Sequence, residues 1–150
     1  VDISPKLYPA DVINGVCFVV SARAFKIIKG FDPDYFMYGE EHDLCFRLYG
    51  QGLHCAYWSG ESIIHSIGHK DHAKLICWRD ILVRCNQILF LKKHNRLFSA
   101  FILSLLFSFS FTLKLFRGFV FEDFTFKQVI SYFFNPILLN QSFVKKIHPA

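Results

Sequence analysis

Seventeen consecutive residues, 97–113, carry no charge. A stretch of that kind has to place its apolar side chains in a protein core, against another subunit or in lipid. A spanning helix wants about 20 apolar residues. Here the run ends at Lys114 and Arg117 and resumes at Phe119-Val120-Phe121. Four serines and Thr112 lower its hydrophobicity. Three arrangements are open: a single span with Lys114 snorkelling, an interfacial or hairpin-like helix, or a helix docked on another subunit. A second greasy stretch, 124–134, is closed by Asn135-Pro136, and Lys145-Lys146 near the end favour an anionic membrane surface.

The same division runs through the composition. Of 19 phenylalanines, six lie in 1–96 and thirteen in 97–150. Residues 1–96 hold 12 Lys/Arg and 10 Asp/Glu, and residues 97–150 hold 5 and 2. We therefore expect two pieces, 1–96 mixed in polarity and 97–150 hydrophobic and membrane-associated. The net charge of +5 is scattered along the chain. With no RNP-like, zinc-finger or helix-turn-helix signature, it points away from nucleic acid and toward a membrane. Five cysteines without a CxxC pair suit buried free thiols in a reducing compartment. There is no secretory signal at the start and no initiator Met, so an excerpt of a longer protein is expected.

Local signals place the elements. Residues 1–11, punctuated by Pro5 and Pro9, read as a loop or linker. Residues 12–20 read as a buried β-strand with a turn at Asn14-Gly15. Ser21 caps a short helix that Gly30 stops. Residues 31–36 form a turn-rich loop. Glu40–Tyr49 is a helix ended by Gly50 and Gly52. Strands are expected over 53–58 and 62–65, and a long helix over 71–94.

The densest chemistry is Tyr38-Gly39-Glu40-Glu41-His42-Asp43-Leu44-Cys45-Phe46-Arg47. Acids in a first helical turn are stabilised by the helix dipole on any helix. At 3.6 residues per turn, Glu41 shares an otherwise apolar face with Leu44, Cys45 and Leu48, while Asp43 and Arg47 pair at i,i+4. An inward carboxylate there is costly unless partnered, and its proton affinity is pulled up by apolar surroundings and down by the dipole. Such a group can serve as a general base.

The segments 14–21, 30–47, Gly52 and Ile64-His65 together resemble the C-terminal half of a family-two glycosyltransferase, nearest the rhamnosyltransferase-type enzymes of bacterial cell-surface polysaccharide assembly. Their pattern is G-G-F-D-E-x-F-F-x-Y-G-E-D-x-D-L-x-x-R followed by a strand ending in His, and the match covers roughly residues 12–70. The resemblance implies an α/β fold: the acceptor-side half of a GT-A domain, followed by hydrophobic membrane-associated helices. It implies an inverting enzyme that moves a sugar from a nucleotide-sugar donor to a hydroxyl of a saccharide or lipid-linked acceptor at the cytoplasmic face of the cell membrane.

By the same resemblance Glu41 occupies the place of the catalytic base. The family carries Asp there, so the carboxyl is displaced by one methylene, about 1.5 Å. Glu40 would hydrogen-bond acceptor or loop atoms, Asp43 and Arg47 would support the helix and its loop, and Gly15, Tyr38, Gly39 and Arg47 would line the acceptor side. A divalent cation (Mg or Mn) is expected in the complete enzyme, with His65 as a possible contact to it or to the diphosphate. Asp32-Pro33-Asp34 fits the family's metal motif as a string but lies in the wrong part of the pattern, so it is read as a turn. No strand-loop-helix nucleotide module is read upstream of it in these residues, so the chain alone is not expected to bind a sugar nucleotide well. The helix over 71–94 fits the segment after the catalytic domain, and its Arg79, Arg84, Lys92, Lys93 and Arg96 can face lipid phosphates, acceptor pyrophosphate or simply water. Two rivals stand beside this reading: a catalytically inactive, truncated relative acting as a membrane-bound interaction module, and a small metal hydrolase using Glu41, His65 and His69, which form part of an H-x3-H-x2-H run with His72.

Overall fold

The structure is a computed structural model and describes residues 6–65, 75–76, 78–117, 120–121 and 125–147. The described fold mixes helix and strand and is mostly helical, with two small two-stranded sheets. Its contacts divide the chain into two units, 1–32 with 40–69, and 33–39 with 70–150.

The first unit contains strand β1 (Leu7–Ala10), helix α1 (Ala22–Ile27), helix α2 (Glu40–Tyr49) and strand β2 (Cys55–Trp58). β1 lies where a loop is expected from Pro5 and Pro9. The pairing with β2 is antiparallel, Leu7 opposite Trp58 and Ala10 opposite Cys55. The Ser59 N–H donates to the Lys6 carbonyl at 3.1 Å, which makes 6 and 59 a hydrogen-bonded pair. Counting along, Pro9 falls opposite Ala56 on a non-hydrogen-bonded pair, where its missing N–H removes no ladder bond.

The expected strand over 12–20 does not form: these residues lack regular structure, and Val19 is 96% exposed. β-favouring residues make a strand only beside a partner, and among the described residues none pairs with this run. Residues 62–65 are likewise exposed and irregular rather than a strand.

The helices follow their signals closely. Ser21 Oγ accepts from the Ala24 N–H at 3.1 Å to cap α1, and Gly30, at φ +76°, ends it with its N–H on the Phe25 carbonyl. α2 runs over the expected residues and unwinds at Gly52, φ +70°, with the Leu53 N–H returned to the Leu48 carbonyl. Ile28, Leu44 and Leu48 form the core here, edged by Val20, Ala24, Phe25, Leu53 and Cys55.

The second unit opens with strand β3 (Leu75–Ile76), paired in parallel with strand β4 (Val120–Phe121). The helix expected over 71–94 therefore starts later, as α3 (Trp78–Lys93); residues 71–74 and 77 lie outside the described residues. α3 packs with α4 (Leu97–Phe116), α5 (Phe126–Phe134) and α6 (Pro136–Ile147) around Ile81, Leu82, Cys85, Ile88, Ala100, Phe111, Val129, Phe133 and Leu139. A capping box starts α5, with Thr125 and Gln128 exchanging hydrogen bonds. Part of the basic set expected on α3 turns inward. Arg84 sits over the rings of Phe107 and Phe111, Lys92 donates to the Phe134 carbonyl, and Lys93 pairs with Asp34 at 2.6 Å.

Among the described residues one helix, α4, is long and apolar enough to cross a membrane. Three of its hydroxyls are used within the bundle or the helix: Ser104 Oγ donates to the Ala100 and Phe133 carbonyls at 2.8 and 2.9 Å, Ser108 to Ser104, and Thr112 to Ser108, while Ser99 is exposed.

Candidate functional site

The acids sit at the start of α2. Glu41 turns inward as its spacing implies, its side chain 15% exposed, and Leu44, Cys45 and Leu48 below it are buried. It is brought against Gly15: a Cβ at Gly15 would stand 3.6 Å from Glu41 Cδ and 3.8 Å from Oε1. A side chain at 15 would thus crowd the carboxylate, which gives the glycine a local reason. His42 Nδ1 lies 3.8 Å from the same Oε1.

Glu40 carries the perturbed carboxyl. Burial pushes its proton affinity above the usual carboxylate range and the neighbouring Glu41 adds to this, while a backbone hydrogen bond and His42 oppose it. Its Oε2 is buried with no hydrogen-bond partner. Nothing in the spacing singled Glu40 out, because its burial depends on the surrounding fold.

Asp43 and Arg47 meet each other. Arg47 Nε donates to Asp43 Oδ2 at 2.7 Å, and Arg47 Nη1 donates to the Ile28 carbonyl at 2.5 Å. The pair thereby ties α2 to the C-terminal cap of α1, and Asp43 is only 1% exposed. A groove of 240 Å³ behind α2, lined by Ile13, Val20, Leu44, Leu48, Leu53 and Cys55 among others, contains none of the acids.

In the second unit, Tyr38 and Gly39 have left-handed backbones, φ +67° and +102°. Tyr38 is a non-glycine residue there, a conformation that surrounding contacts must hold. Asn86 holds it: its Nδ2 donates to the carbonyls of Met37 and Tyr38 at 2.7 and 2.6 Å. Asn140 in turn donates to Asn86 Oδ1 at 2.8 Å and accepts the Phe36 N–H at 2.8 Å. Both asparagines are 2% exposed. A Cβ at Gly39 would approach Asn86 Cβ to 3.4 Å. Sequence reasoning missed both residues; the available signal was an asparagine on the apolar seam of a helix, between Leu82, Cys85 and Leu89.

The metal expectation finds no cage here. His65 is exposed in the irregular segment after β2, His69 and His72 lie outside the described residues, and no three of His, Cys, Asp and Glu gather among the described residues. Asp34, in the string that imitates a metal motif, is engaged by Lys93. Of the cysteines, Cys45 and Cys85 are buried and Cys17 is exposed, all as free thiols. Burial and the adjacent Cys45 push the Cys55 thiol up to about 11, and burial raises that of Cys85. Cys77 lies outside the described residues.

An inward acid against a glycine, with a second acid of raised proton affinity beside it at a helix N-terminus, is a group that can take a proton from a hydroxyl. Over 71 residues the chain is 35% identical to the N-acetylglucosaminyl-diphospho-decaprenol L-rhamnosyltransferase of Mycobacterium tuberculosis, in strains CDC 1551 / Oshkosh and ATCC 25618 / H37Rv. The match covers 47% of this chain but 22% of that protein, so the chain spans less than a quarter of the length of these curated relatives. This is a distant relationship to a glycosyltransferase. No family model and no solved structure matches the chain.

Proposed function

We propose that this chain is the acceptor-side part of an inverting glycosyltransferase with a GT-A domain, working at the cytoplasmic face of a membrane. What carries the reading is the similarity to the rhamnosyltransferase together with the inward Glu41 at the start of α2. The donor is a nucleotide-sugar, bound by sequence outside these 150 residues, and the acceptor is a saccharide or lipid-linked saccharide. Glu41 takes the proton of the acceptor hydroxyl as that oxygen attacks the anomeric carbon. The new C–O bond forms while the bond from the sugar to the diphosphate breaks, with inversion at that carbon. Glu40, beside it at the start of α2, hydrogen-bonds acceptor or loop atoms. Gly15 keeps the space at Glu41 open, and Tyr38 and Gly39 shape the acceptor side. In the complete enzyme a Mg or Mn ion would offset the charge developing on the leaving diphosphate, with His65 the candidate contact to it in this chain.

One residue favours a second reading, a catalytically inactive relative serving as a membrane-bound module: Glu41 stands where the family pattern has Asp. The two separate in the complete protein. Transfer should fall by about 10²–10⁴-fold in Glu41→Gln and survive in Glu41→Asp. Full turnover in Glu41→Gln removes Glu41 as the base, and no transfer in the parent protein favours the second reading.

A further inference from the structure

On α4 the hydroxyls of Ser104 and Ser108 are used on backbone carbonyls while a row of large apolar side chains is exposed, with Ser99 the exposed polar exception. Ala100, Ser104, Ser108 and Phe111 turn toward the bundle, and the serine hydroxyls are used on backbone carbonyls. Outward, Phe98, Phe101, Leu105, Phe109, Leu113 and Phe116 recur at intervals of mostly three and four and form one exposed apolar stripe. Only 17% of the most apolar window is buried. At 1.5 Å per residue, 20 residues make a face about 30 Å long.

Two observations select lipid as the occupant. The stripe offers no hydrogen-bonding side chain, whereas protein interfaces mix apolar contact with polar groups. Residues 78–150 hold ten Lys/Arg against three Asp/Glu; Arg84, Lys92 and Lys93 are engaged inside the unit, while exposed Arg96 and Arg117 bracket the helix. That charge complements an anionic headgroup layer.

The packing then decides the orientation. Arg84 of α3 lies 4.7 Å from the ring centroid of Phe107, near the middle of α4. Were α4 to cross the bilayer, Phe107 would sit near the midplane and take Arg84 there with it, together with the buried Asn86–Asn140 pair on α3 and α6. Charges at that depth are strongly disfavoured. With α4 flat at the surface, its stripe enters the boundary between headgroups and acyl chains while α3 and α6 stay on the water side.

We infer that the outer face of α4 is an in-plane membrane-binding surface for an anionic bilayer, and not a transmembrane span. This rests on the membrane association in the proposed function but not on sugar transfer, and it is measured with no sugar present.

The full chain is tested on vesicles of phosphatidylcholine mixed with phosphatidylglycerol. The parent should co-sediment. The Phe101→Asp/Phe109→Asp double variant, changed at exposed positions, should bind about tenfold or more weakly with its circular dichroism intact. Independently of that variant, Phe98→Trp, Phe109→Trp and Phe116→Trp are read, against the parent, with lipids brominated at stepped depths. Quenching of all three by the same shallow bromines supports the in-plane face. Deep quenching of Phe109→Trp with shallow quenching of the other two means a crossing helix and overturns it. A parent that ignores vesicles overturns it too; if that parent is an oligomer which the double variant dissociates, the stripe is a protein interface.

Discussion

The first unit centres on Ile28, Leu44 and Leu48 and leaves Val19 and Ile64 at 96% and 98% exposure, whereas the second closes nine fully buried residues between four helices. The motif that speaks of chemistry, 40–47, is on the thinly packed side. The loop just before it, 33–39, belongs to the well-packed side, where Asn86 and Asn140 hold its backbone. Residues that name a reaction and residues that hold a conformation are thus differently distributed. A motif supplies side-chain types, while a left-handed Tyr38 needs buried partners from elsewhere in the chain.

The sharpest way to break this contrast is to open the larger core. Phe133 is fully buried and stacks at 5.3 Å on Phe111 and at 5.8 Å on Phe107. Phe133→Ala should cost about 3–5 kcal/mol, from lost transfer energy and the cavity left behind. Amide exchange should then rise throughout α3–α6, and the α2 amides should respond less. Equal loss of protection in both units would show that they unfold as one.

A smaller effect is expected at the clamp. Asn86→Ala removes the donor to the Met37 and Tyr38 carbonyls and leaves Asn140 short of an acceptor. The cost should be about 1–3 kcal/mol, the penalty of buried groups left unsatisfied. Protection should fall in 36–39 before it falls in the helices. Combined with Asn140→Ala, the double-mutant cycle should show coupling of about 0.5–3 kcal/mol, because the two side chains share one network. Strict additivity would mean that the asparagines act separately.

These partners also mark how far the sequence is legible. Glu40–Tyr49, the Ser21 cap, the Gly30 and Gly52 stops, and the inward turn of Glu41 follow from neighbours within a turn or two of helix, and all are found in place. So does the Asp43–Arg47 pair, at i,i+4. The failures are non-local. Strand β1 depends on register with a strand nearly fifty residues on. Residues 12–20 have strand composition but no described partner. The Asn86–Asn140 bond joins residues 54 apart, and no spacing rule reaches that far. The serines of α4 lower its mean hydropathy, but Ser104 and Ser108 turn their hydroxyls to backbone carbonyls, so the outer stripe is more apolar than the composition indicates.

The smallest expected effect returns to the first unit and to Glu40. Its carboxyl binds a proton more tightly in the folded chain than in the unfolded one, where its value is near 4.5. The folded state then holds more protons than the unfolded state once the pH passes that value, so stability falls as pH rises. Below about 4.5 both states are protonated and nothing is lost. Above it, ionisation leaves a partly buried carboxylate beside Glu41, with Oε2 lacking a partner. Glu40→Gln keeps the shape and removes the titration. Its Tm should match the parent near pH 4 and exceed it near pH 7, by a few degrees at most, with amide exchange in α2 slowed to match. A variant less stable than the parent at pH 7 would mean that ionised Glu40 gains more from its backbone hydrogen bond and His42 than burial takes away. Burial would then not be the dominant influence on Glu40, and its raised proton affinity would lose its physical ground.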